Sequence, residues 1–399
     1  MKITVVLTGL LMALTISAQE FQRAPDNPAF LKYQQERIQK AATVKTVSGH
    51  GLGYVPSPVD FSYLKGRTPV RIRALKALPS SYDLRTQGKL TPIKDQDPYG
   101  TCWAFATYSS LESTLMPAEE RYFSVNNMAN NHGFDYGYDD GGDAVMSTAY
   151  LTRWSGPINE ADDPYANGPG HSPANLTVQK HVQEILFLPL RASALDNTTI
   201  KQAVVNYGAM YVSFYIANAY YDSINASYYY SGTTNANHAV AIVGWDDNYP
   251  AANFKQIPPG NGAFIVRNSW GPNWGDQGYF YCSYYDSVMG YDENAAFNNA
   301  EAVTRYSSIY QYDPLGRVGD TGCGSTNAWG ANIFTATNSD PLRAVGFYAT
   351  DIDVNYNIYI YGNVKAGSPT NGTLLLSQTG GFTYSGYHTV ALSAPVDVS

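Results

Sequence analysis

The sequence predicts an α+β fold in which a helical lobe precedes a β lobe, followed by a small all-β, sandwich-like domain. An apolar stripe at helical spacing runs over residues 104–115. Strand-like apolar runs follow at 210–216, 239–245 and 262–267. Beyond residue 301, short strand-like runs alternate with turn residues and no helical pattern is convincing. Helices before strands indicate two segregated lobes, and the cleft between two lobes is where an active site is expected.

Each helix is predicted from its periodicity and its ends. The first apolar helix covers 103–116 and is stopped by a proline. A second helix is predicted over 144–154. A third, over 199–207, begins at a threonine cap and ends at Gly208. A polar helix is predicted earlier in the chain, over 30–40.

Strands of the all-β domain, assigned to 301–399, are predicted at 344–349, 357–361 and 373–377. The chain stops in the middle of this pattern. A sandwich edge would be left unpaired there, so we expect the domain to be incomplete in this sequence.

Composition excludes some function classes. The chain has 399 residues, enough for two or three domains, and a net charge of −8 with only 25 Lys and Arg residues. No basic stripe is present, which argues against a nucleic-acid partner. The 34 tyrosines and the charged fraction of 15% are typical of an exported, β-containing protein.

The N-terminus predicts export. A basic start is followed by an apolar run over 3–16 and by small residues, the pattern of a secretory signal peptide covering residues 1–18. The apolar run is too short to anchor the chain in a bilayer. We therefore expect a secreted or cell-surface protein with no membrane span after signal removal.

Three cysteines cannot form a disulfide framework. Cys282 and Cys323 fall in different predicted domains, and we expect both to be free.

Cys102 lies where a loop gives way to the first predicted helix of the lobe. The free N–H groups of a first helical turn favour a thiolate, which is the nucleophile of a cysteine enzyme. The alternative is a small core residue, the usual fate of a free cysteine.

Residues 19–78 are interpreted as a pro-segment or a linker. Prolines break regular structure over 55–59, and the stretch 65–76 is basic, whereas the remainder of the chain is acidic. A basic, extended segment could lie along an acidic cleft as a pro-segment. A flexible spacer has the same composition, so both interpretations stay open.

A histidine and an asparagine are candidate partners for the cysteine. Of the six histidines, His238 alone lies at the start of a predicted apolar strand. The strand would hold its backbone firmly while the side chain could still face a cleft. Asn268 directly follows the strand 262–267. It could hydrogen-bond the imidazole, and Trp270 could shield that bond from water.

The acidic loop 136–143 invites a calcium-site interpretation, which we decline. Its spacing does not match an EF-hand loop, and the closing glutamate is missing. No metal or other cofactor is predicted.

These features together resemble the papain family of cysteine peptidases over residues 79–282. The resemblance rests on residues 79–85 (PSSYDLR), 88–96 (GKLTPIKDQ), 100–105 (GTCWAF), 237–240 (NHAV) and 268–279 (NSWGPNWGDQGY). The interval from Cys102 to His238 is 136 residues (238 − 102), within the family's range of roughly 130–150, and Asn268 lies slightly beyond it.

The resemblance implies a two-lobed papain-like domain over 79–300 that hydrolyses peptide bonds through a covalent thioester. It implies that Cys102 is the nucleophile, that His238 is the base and that Asn268 orients the imidazole. The remaining implied residues are Gln96 for the oxyanion, and Gly141, Gly142, Trp103 and Trp270 for substrate binding.

Two departures from the family pattern stand out. Tyr99 occupies the position of a family cysteine three residues before the nucleophile, so the neighbouring disulfide is absent. The family's pro-segment helix motif is not recognisable in 19–78, which leaves the inhibitory role of that segment open.

The part from residue 308 onward resembles the lectin-like β domain that follows such peptidases in some prokaryotic surface proteins. This resemblance implies a glycan or cell-wall ligand beside protein or peptide substrates. An alternative function is therefore a surface adhesin in which the peptidase domain is auxiliary. Other Cys–His acyl transferases usually orient the imidazole with Asp, so Asn268 argues against them.

Overall fold

The computed structural model describes residues 2–7, 21–39, 46–71 and 77–398. Within these ranges the α-helices are α1 (Pro28–Gln39), α2 (Cys102–Leu115), α3 (Val125–Asn131), α4 (Ala144–Thr152) and α5 (Thr198–Tyr207). The strands are β1 (Lys2–Leu7), β2 (Gln22–Arg23), β3 (Thr46–Val47), β4 (His50–Gly51), β5 (Ser81–Asp83), β6 (His181–Phe187), β7 (Met210–Phe214), β8 (Tyr221–Asp222), β9 (Ser227–Tyr228), β10 (His238–Asp246), β11 (Ala263–Arg267), β12 (Tyr279–Ser283), β13 (Asn294–Glu301), β14 (Thr321–Gly322), β15 (Gly330–Thr335), β16 (Leu342–Ala349), β17 (Val354–Gly362), β18 (Thr373–Phe382) and β19 (Ser385–Val396).

Helix α2 lies between the helical lobe and the β lobe and packs against both. It is buried from Cys102 to Ser113 with little interruption, because α3 and α4 cover one side and the strands β7, β10 and β13 cover the other. The buried carboxylate of this helix is satisfied inside the core. Glu112 accepts hydrogen bonds from the Thr91 hydroxyl (2.6 Å), the Lys94 ammonium (3.0 Å) and the backbone N–H of Phe123 (2.8 Å).

One large sheet forms the β lobe and continues into the C-terminal part. Its strand order is β16-β19-β6-β13-β7-β10-β11-β12-β9-β8, with β5 also paired to β10. Neighbouring strands are antiparallel except for β12 and β9. Because β19 pairs with β6, the C-terminal strands are joined to the β lobe by backbone hydrogen bonds. The sequence analysis treated them as a separate domain.

The C-terminal part has its own small core. Strands β15, β1, β17 and β18 form a four-stranded sheet that faces the pair β16 and β19. The buried residues between them are Val345, Ile358, Ile360, Val390, Val396 and Val398. The predicted strands 344–349, 357–361 and 373–377 therefore lie inside longer strands of a two-sheet arrangement.

The predicted helices and the main strands are found within a few residues of their expected bounds. Helix α3 was not predicted, because its sequence VNNMANN carries no apolar stripe. It forms because Ser124 caps it and because Asp163 accepts hydrogen bonds from Asn126 (2.6 Å) and Asn127 (3.0 Å) inside the core. Strands β6 and β13 were missed as well, since both carry buried polar residues.

The described residues of the N-terminal segment, 21–39, 46–71 and 77–78, contact all three parts. Helix α1 packs on the acidic loop, where the Arg37 guanidinium donates to Asp140 (2.8 Å) and lies 4.4 Å from the Tyr136 ring. Residues 50–55 then cross between the helical and β lobes. In the C-terminal part, Arg67 forms an ion pair with Asp351, and Asp353 accepts from the backbone N–H of Val70 (2.7 Å).

These contacts correct one expectation. The segment that lies in the cleft is the stretch 50–55, which contains no Lys or Arg, whereas the described part of the basic stretch, up to Arg71, binds acidic residues of the C-terminal part. Residues 72–76 lie outside the described residues, as do Met1 and residues 8–18 of the predicted signal peptide. Among the described residues, no helix is both long and apolar enough to cross a bilayer.

Candidate active site

Cys102 is the first residue of α2, at the junction of the two lobes. The preceding Thr101 does not cap the helix with its side chain, since its hydroxyl lies 2.5 Å from the Tyr165 hydroxyl. The Cys102 sulfur is fully buried and accepts a hydrogen bond from the backbone N–H of Ala239 at 3.3 Å. This contact places the sulfur directly beside the first residues of β10.

His238 is brought to its partner by the pairing of β10 with β11. Ala241 pairs with Arg267 across these antiparallel strands, so residues just before Ala241 lie opposite residues just after Arg267. The Asn268 Oδ1 accepts from His238 Nε2 at 2.8 Å. Because Nε2 is the donor, Nδ1 is the unprotonated nitrogen, and Nδ1 is buried without a hydrogen-bond partner.

Trp270 covers this hydrogen bond. Its ring centroid lies 4.8 Å from that of His238 at an interplanar angle of 30°, and Trp274 braces it edge-on at 5.0 Å. Both His238 and Asn268 are buried. A hydrogen bond held away from water keeps one imidazole tautomer, which is the shielding expected from the sequence.

Gln96 lies next to the same group. Its Oε1 accepts from the Ser269 hydroxyl at 2.6 Å, which fixes the direction of the amide. Its Nε2 donates to the backbone oxygens of Tyr99 (2.9 Å) and Gly51 (3.0 Å). Gln96 therefore directs an N–H at a carbonyl oxygen of the N-terminal segment, the kind of group that a substrate would offer in its place.

Gly141 and Gly142 form one edge of the cleft. The Gly142 N–H donates to the Gly53 oxygen (2.9 Å), and the Val55 N–H donates to the Gly142 oxygen (3.0 Å). A Cβ on Gly142 would lie 2.7 Å from the Trp103 ring. Trp103 is buried beneath this edge, so it supports the cleft wall and does not line the open cleft.

The N-terminal segment fits the cleft because it carries glycine there. A Cβ on Gly53 would lie 1.9 Å from the backbone oxygen of Gly100, and one on Gly51 would lie 2.4 Å from that of Tyr99. His50 stacks on Trp270 at 4.8 Å and pairs with Asp97. Residues 50–55 thus lie across the cysteine, the histidine and the tryptophan at backbone contact distance.

Covering the cleft controls the charges of the two central groups. Burial raises the pKa of Cys102 to about 12, although backbone N–H groups including that of Ala239 act in the opposite direction. Burial lowers the pKa of His238 to about 4, against the effect of its hydrogen bond to Asn268. In the covered state the pair is a neutral thiol and a neutral imidazole.

Tyrosines occupy the place of the missing disulfide. The Tyr99 ring packs edge-on against Tyr138 (5.1 Å) and Tyr165 (6.0 Å). The Tyr165 hydroxyl donates to the Gln96 backbone oxygen at 2.7 Å. Asp139 accepts from the Gly100 N–H at 3.2 Å. The loop before Cys102 is therefore held by ring packing and hydrogen bonds.

The sequence analysis missed a group of acids near the cleft, of which Asp143 and Glu293 are buried and Asp292 is half-buried. Asp292 and Glu293 lie before β13, and Asp143 caps α4 through a bond from the Met146 N–H (2.8 Å). Two adjacent carboxylates inside an otherwise apolar run were the available signal. Among the described residues, no group of three or more His, Cys, Asp or Glu side chains has the arrangement of a metal site.

Comparison with known proteins identifies the parts of the chain. A family model described as papain family cysteine protease matches residues 78–298, and a lectin-like domain model matches 309–399. Mexicain from Jacaratia mexicana is 27% identical over 209 residues, which cover 50% of this chain and 86% of mexicain.

Two solved structures extend the likeness to both parts. One is the crystal structure of the cysteine protease and lectin-like domains of Cwp84, a surface layer associated protein of Clostridium difficile. The alignment covers 95% of this chain and 82% of the Cwp84 chain, with a TM-score of 0.74 and 24% sequence identity. The other is clostridial Cwp84 after propeptide cleavage, with a TM-score of 0.69, 27% identity and coverage of 80% and 82%. The predicted α+β fold followed by a β domain is confirmed.

The covered state predicts a slow reaction of Cys102 with iodoacetamide. With a pKa of about 12, the thiolate fraction at pH 7 is on the order of 10⁻⁵. Alkylation is slow because only the ionised sulfur reacts. Removing residues 21–78 restores solvent and should speed alkylation by at least about 100-fold. Mass spectrometry of the Cys102 peptide over time measures this rate. Equal rates with and without the segment would contradict the covering role.

Proposed function

The chain belongs to the papain family of cysteine proteases and carries a lectin-like domain, and from this we propose that it is a secreted or cell-surface endopeptidase with a Cys102–His238–Asn268 triad. The observation that carries the proposal is the 2.8 Å bond from His238 to Asn268 beside the buried Cys102 sulfur. That arrangement supplies a nucleophile, a base and a group that orients the base. The substrates are proteins or peptides.

The reaction begins with proton transfer from Cys102 to His238 Nδ1. The sulfur then attacks the carbonyl carbon of the scissile peptide bond. The Gln96 amide and the Cys102 backbone N–H hold the developing oxyanion, and one such donor is worth about 3 kcal/mol. His238 protonates the leaving amine, which leaves a thioester on Cys102. Water, deprotonated by His238, then hydrolyses the thioester and frees the sulfur.

Residues 21–78 act as a pro-segment in this proposal. The Gly51 oxygen takes an N–H from Gln96 and another from Trp270 Nε1 (3.2 Å), so both donors are occupied. Gly53 and Val55 use the backbone groups of Gly142 that an extended substrate would need. A substrate and the segment compete for the same hydrogen bonds, so the segment must leave before hydrolysis.

Export is supported by the predicted signal peptide and by likeness to a surface layer associated protein. Within the proposed signal, the backbone of β1 pairs with β15 and β17. Cleavage after about residue 18 would remove that strand from the four-stranded sheet.

The lectin-like domain supports a second candidate function, glycan or cell-wall binding. A cavity of about 880 Å³ lies between this domain and the β lobe. Its lining combines aromatic rings with amide side chains, which suit the faces and hydroxyls of sugars. Representative lining residues are Tyr306, Tyr310, Tyr312, Asn332, Phe334 and Asn338.

Replacing the nucleophile tests the proposed activity. We expect Cys102→Ala to abolish hydrolysis of casein and labelling by an epoxide thiol inhibitor, because Cys102 supplies the sulfur that lies against the first residues of β10. Cys323→Ala is the matched control and should retain both, since Cys323 lies in the C-terminal part. Full hydrolysis by Cys102→Ala would overturn the proposal.

Adding one methyl group at Gly53 tests whether the pro-segment blocks the cleft. Gly53→Ala should displace residues 50–55, because the added Cβ would lie 1.9 Å from the Gly100 oxygen. We expect epoxide labelling of the unprocessed chain to rise by at least about 10-fold as the sulfur is uncovered. Gly49→Asn serves as control, since a Cβ there meets nothing within 4 Å and asparagine tolerates its φ of +87°. Unchanged labelling of Gly53→Ala would refute a blocking role.

Glycan binding is tested on the full chain carrying Cys102→Ala, which prevents digestion of the sample. We expect a glycan array to give signals that weaken by roughly 2- to 10-fold when Tyr312→Ala removes an exposed stacking ring. An array without any signal would count against the second candidate and leave the peptidase proposal unaffected.

A further inference from the structure

One side chain of the pro-segment fills a pocket beside the catalytic groups. Tyr54 is only 6% exposed, and its backbone N–H donates to the Asn237 oxygen at 3.3 Å. It pairs with Gly142 in a short parallel β-bridge. Its hydroxyl donates to Asp292 Oδ2 at 2.8 Å. Tyr54 is thus anchored at both ends, by the cleft edge and by a carboxylate at the pocket floor.

Three carboxyl groups gather at this floor. Glu293 accepts from the Ala144 N–H at 3.3 Å, which places it at the start of α4 next to Asp143. Burial raises the pKa of both acids, and the charge of Asp292 adds to each rise. In the part of the chain that the structure describes, none of the three forms an ion pair with a cation.

The floor also holds polar atoms that Tyr54 does not satisfy. Glu293 Oε1, Ser213 Oγ and the Tyr211 hydroxyl are buried without a hydrogen-bond partner. Ser213 lies next to both the Tyr54 hydroxyl and Asp292, and Tyr211 lies next to the acids. Buried polar groups are normally satisfied. The Ser213 and Tyr211 hydroxyls can each donate once, so the carboxylate oxygens of Asp292 and Glu293 keep acceptor capacity that an occupant with more donors than one phenol would use.

A cationic side chain meets this requirement. Arginine carries five N–H donors in a fixed fork, and lysine carries three on a point charge, whereas a tyrosine hydroxyl donates once. A guanidinium would bring the positive charge that the three acids lack and could bridge two carboxylates. Glutamate or aspartate would add a fourth acid to a buried cluster.

We propose that the Tyr54 pocket is the main specificity pocket of the peptidase and selects arginine, and less strongly lysine, in its substrates. Tyr54 is a neutral occupant of this pocket that a cationic substrate residue displaces. The proposal rests on the proposed peptidase function. It names Asp292 and Glu293 as the residues that determine specificity.

The sequence ahead of residue 79 agrees with this preference. Arg71, Arg73 and Lys76 stand between the docked part of the pro-segment and the first family-like motif. A peptidase that selects cationic side chains would find suitable residues at this junction in its own chain. Processing there would separate the pro-segment from the rest of the protein.

The test measures kcat/KM on a fluorogenic peptide set, using the full-length chain after cleavage ahead of residue 79 has released the pro-segment. Each peptide carries Arg, Lys, Tyr, Leu or Glu at one of the two positions before the scissile bond. We expect the best arginine peptide to exceed its leucine counterpart by at least about 10-fold. Asp292→Asn and Glu293→Gln should each lower this arginine-to-leucine ratio by about 10-fold, because each removes one carboxylate and keeps the side-chain shape.

Glu301→Gln is the matched control, an acid-to-amide change at a residue that pairs with Arg305 away from the pocket. Its ratio should equal that of the wild type. Epoxide labelling of Cys102 checks that each variant is folded. A wild-type enzyme that is labelled and cleaves all peptides alike, or variants that lose activity equally on every peptide, would overturn the pocket proposal alone. A wild-type chain that is neither labelled nor active once the pro-segment has been released would overturn the peptidase proposal and this one with it.

Discussion

The hydrogen bond from the Ala239 N–H to the Cys102 sulfur joins the first turn of α2 to the first residues of β10. The site depends on this junction. Helix α2 is held by the packing of the helical lobe, and β10 by its pairing with β7 and β11. Neither element alone contains a nucleophile and a base. Their contact across the lobes brings the sulfur to His238, while the turn after β11 adds Asn268 from a third direction.

The same junction is sensitive to what covers it. A thiol and an imidazole become an ion pair only where solvent or nearby dipoles stabilise the charges. Residues 50–55 exclude water from both groups, so burial outweighs the N–H groups of the first helical turn. The N-terminal segment therefore acts twice, by occupying the hydrogen bonds of the cleft and by keeping the pair neutral. Its glycines permit the backbone contact that makes this covering close.

The structure also explains how the chain manages without a neighbouring disulfide. Tyr99 stands where the family pattern has cysteine, and its ring joins Tyr138 and Tyr165 in one aromatic cluster. The Tyr165 hydroxyl ties this cluster to the backbone of Gln96. A covalent bridge stabilises mainly by restricting the unfolded chain, whereas this cluster acts through native packing. Oxidising conditions are then not needed to fix the loop that carries the nucleophile.

The α+β order and the main helices and strands could be predicted from the sequence, which also proposed Cys102, His238, Asn268 and Gln96 as the site. It could do so because periodicity is local and the catalytic motifs are short, contiguous runs. Two features needed the folded structure: which part of the N-terminal segment enters the cleft, and the pairing by which β19 extends the sheet of the β lobe. The folded structure also assembled the acids around Tyr54. These features depend on contacts between residues far apart in the chain, and charge and composition do not predict which residues pair. The basic stretch binds acidic residues of the C-terminal part. The space beside Cys102 is too narrow for a side chain, so glycine backbone occupies it.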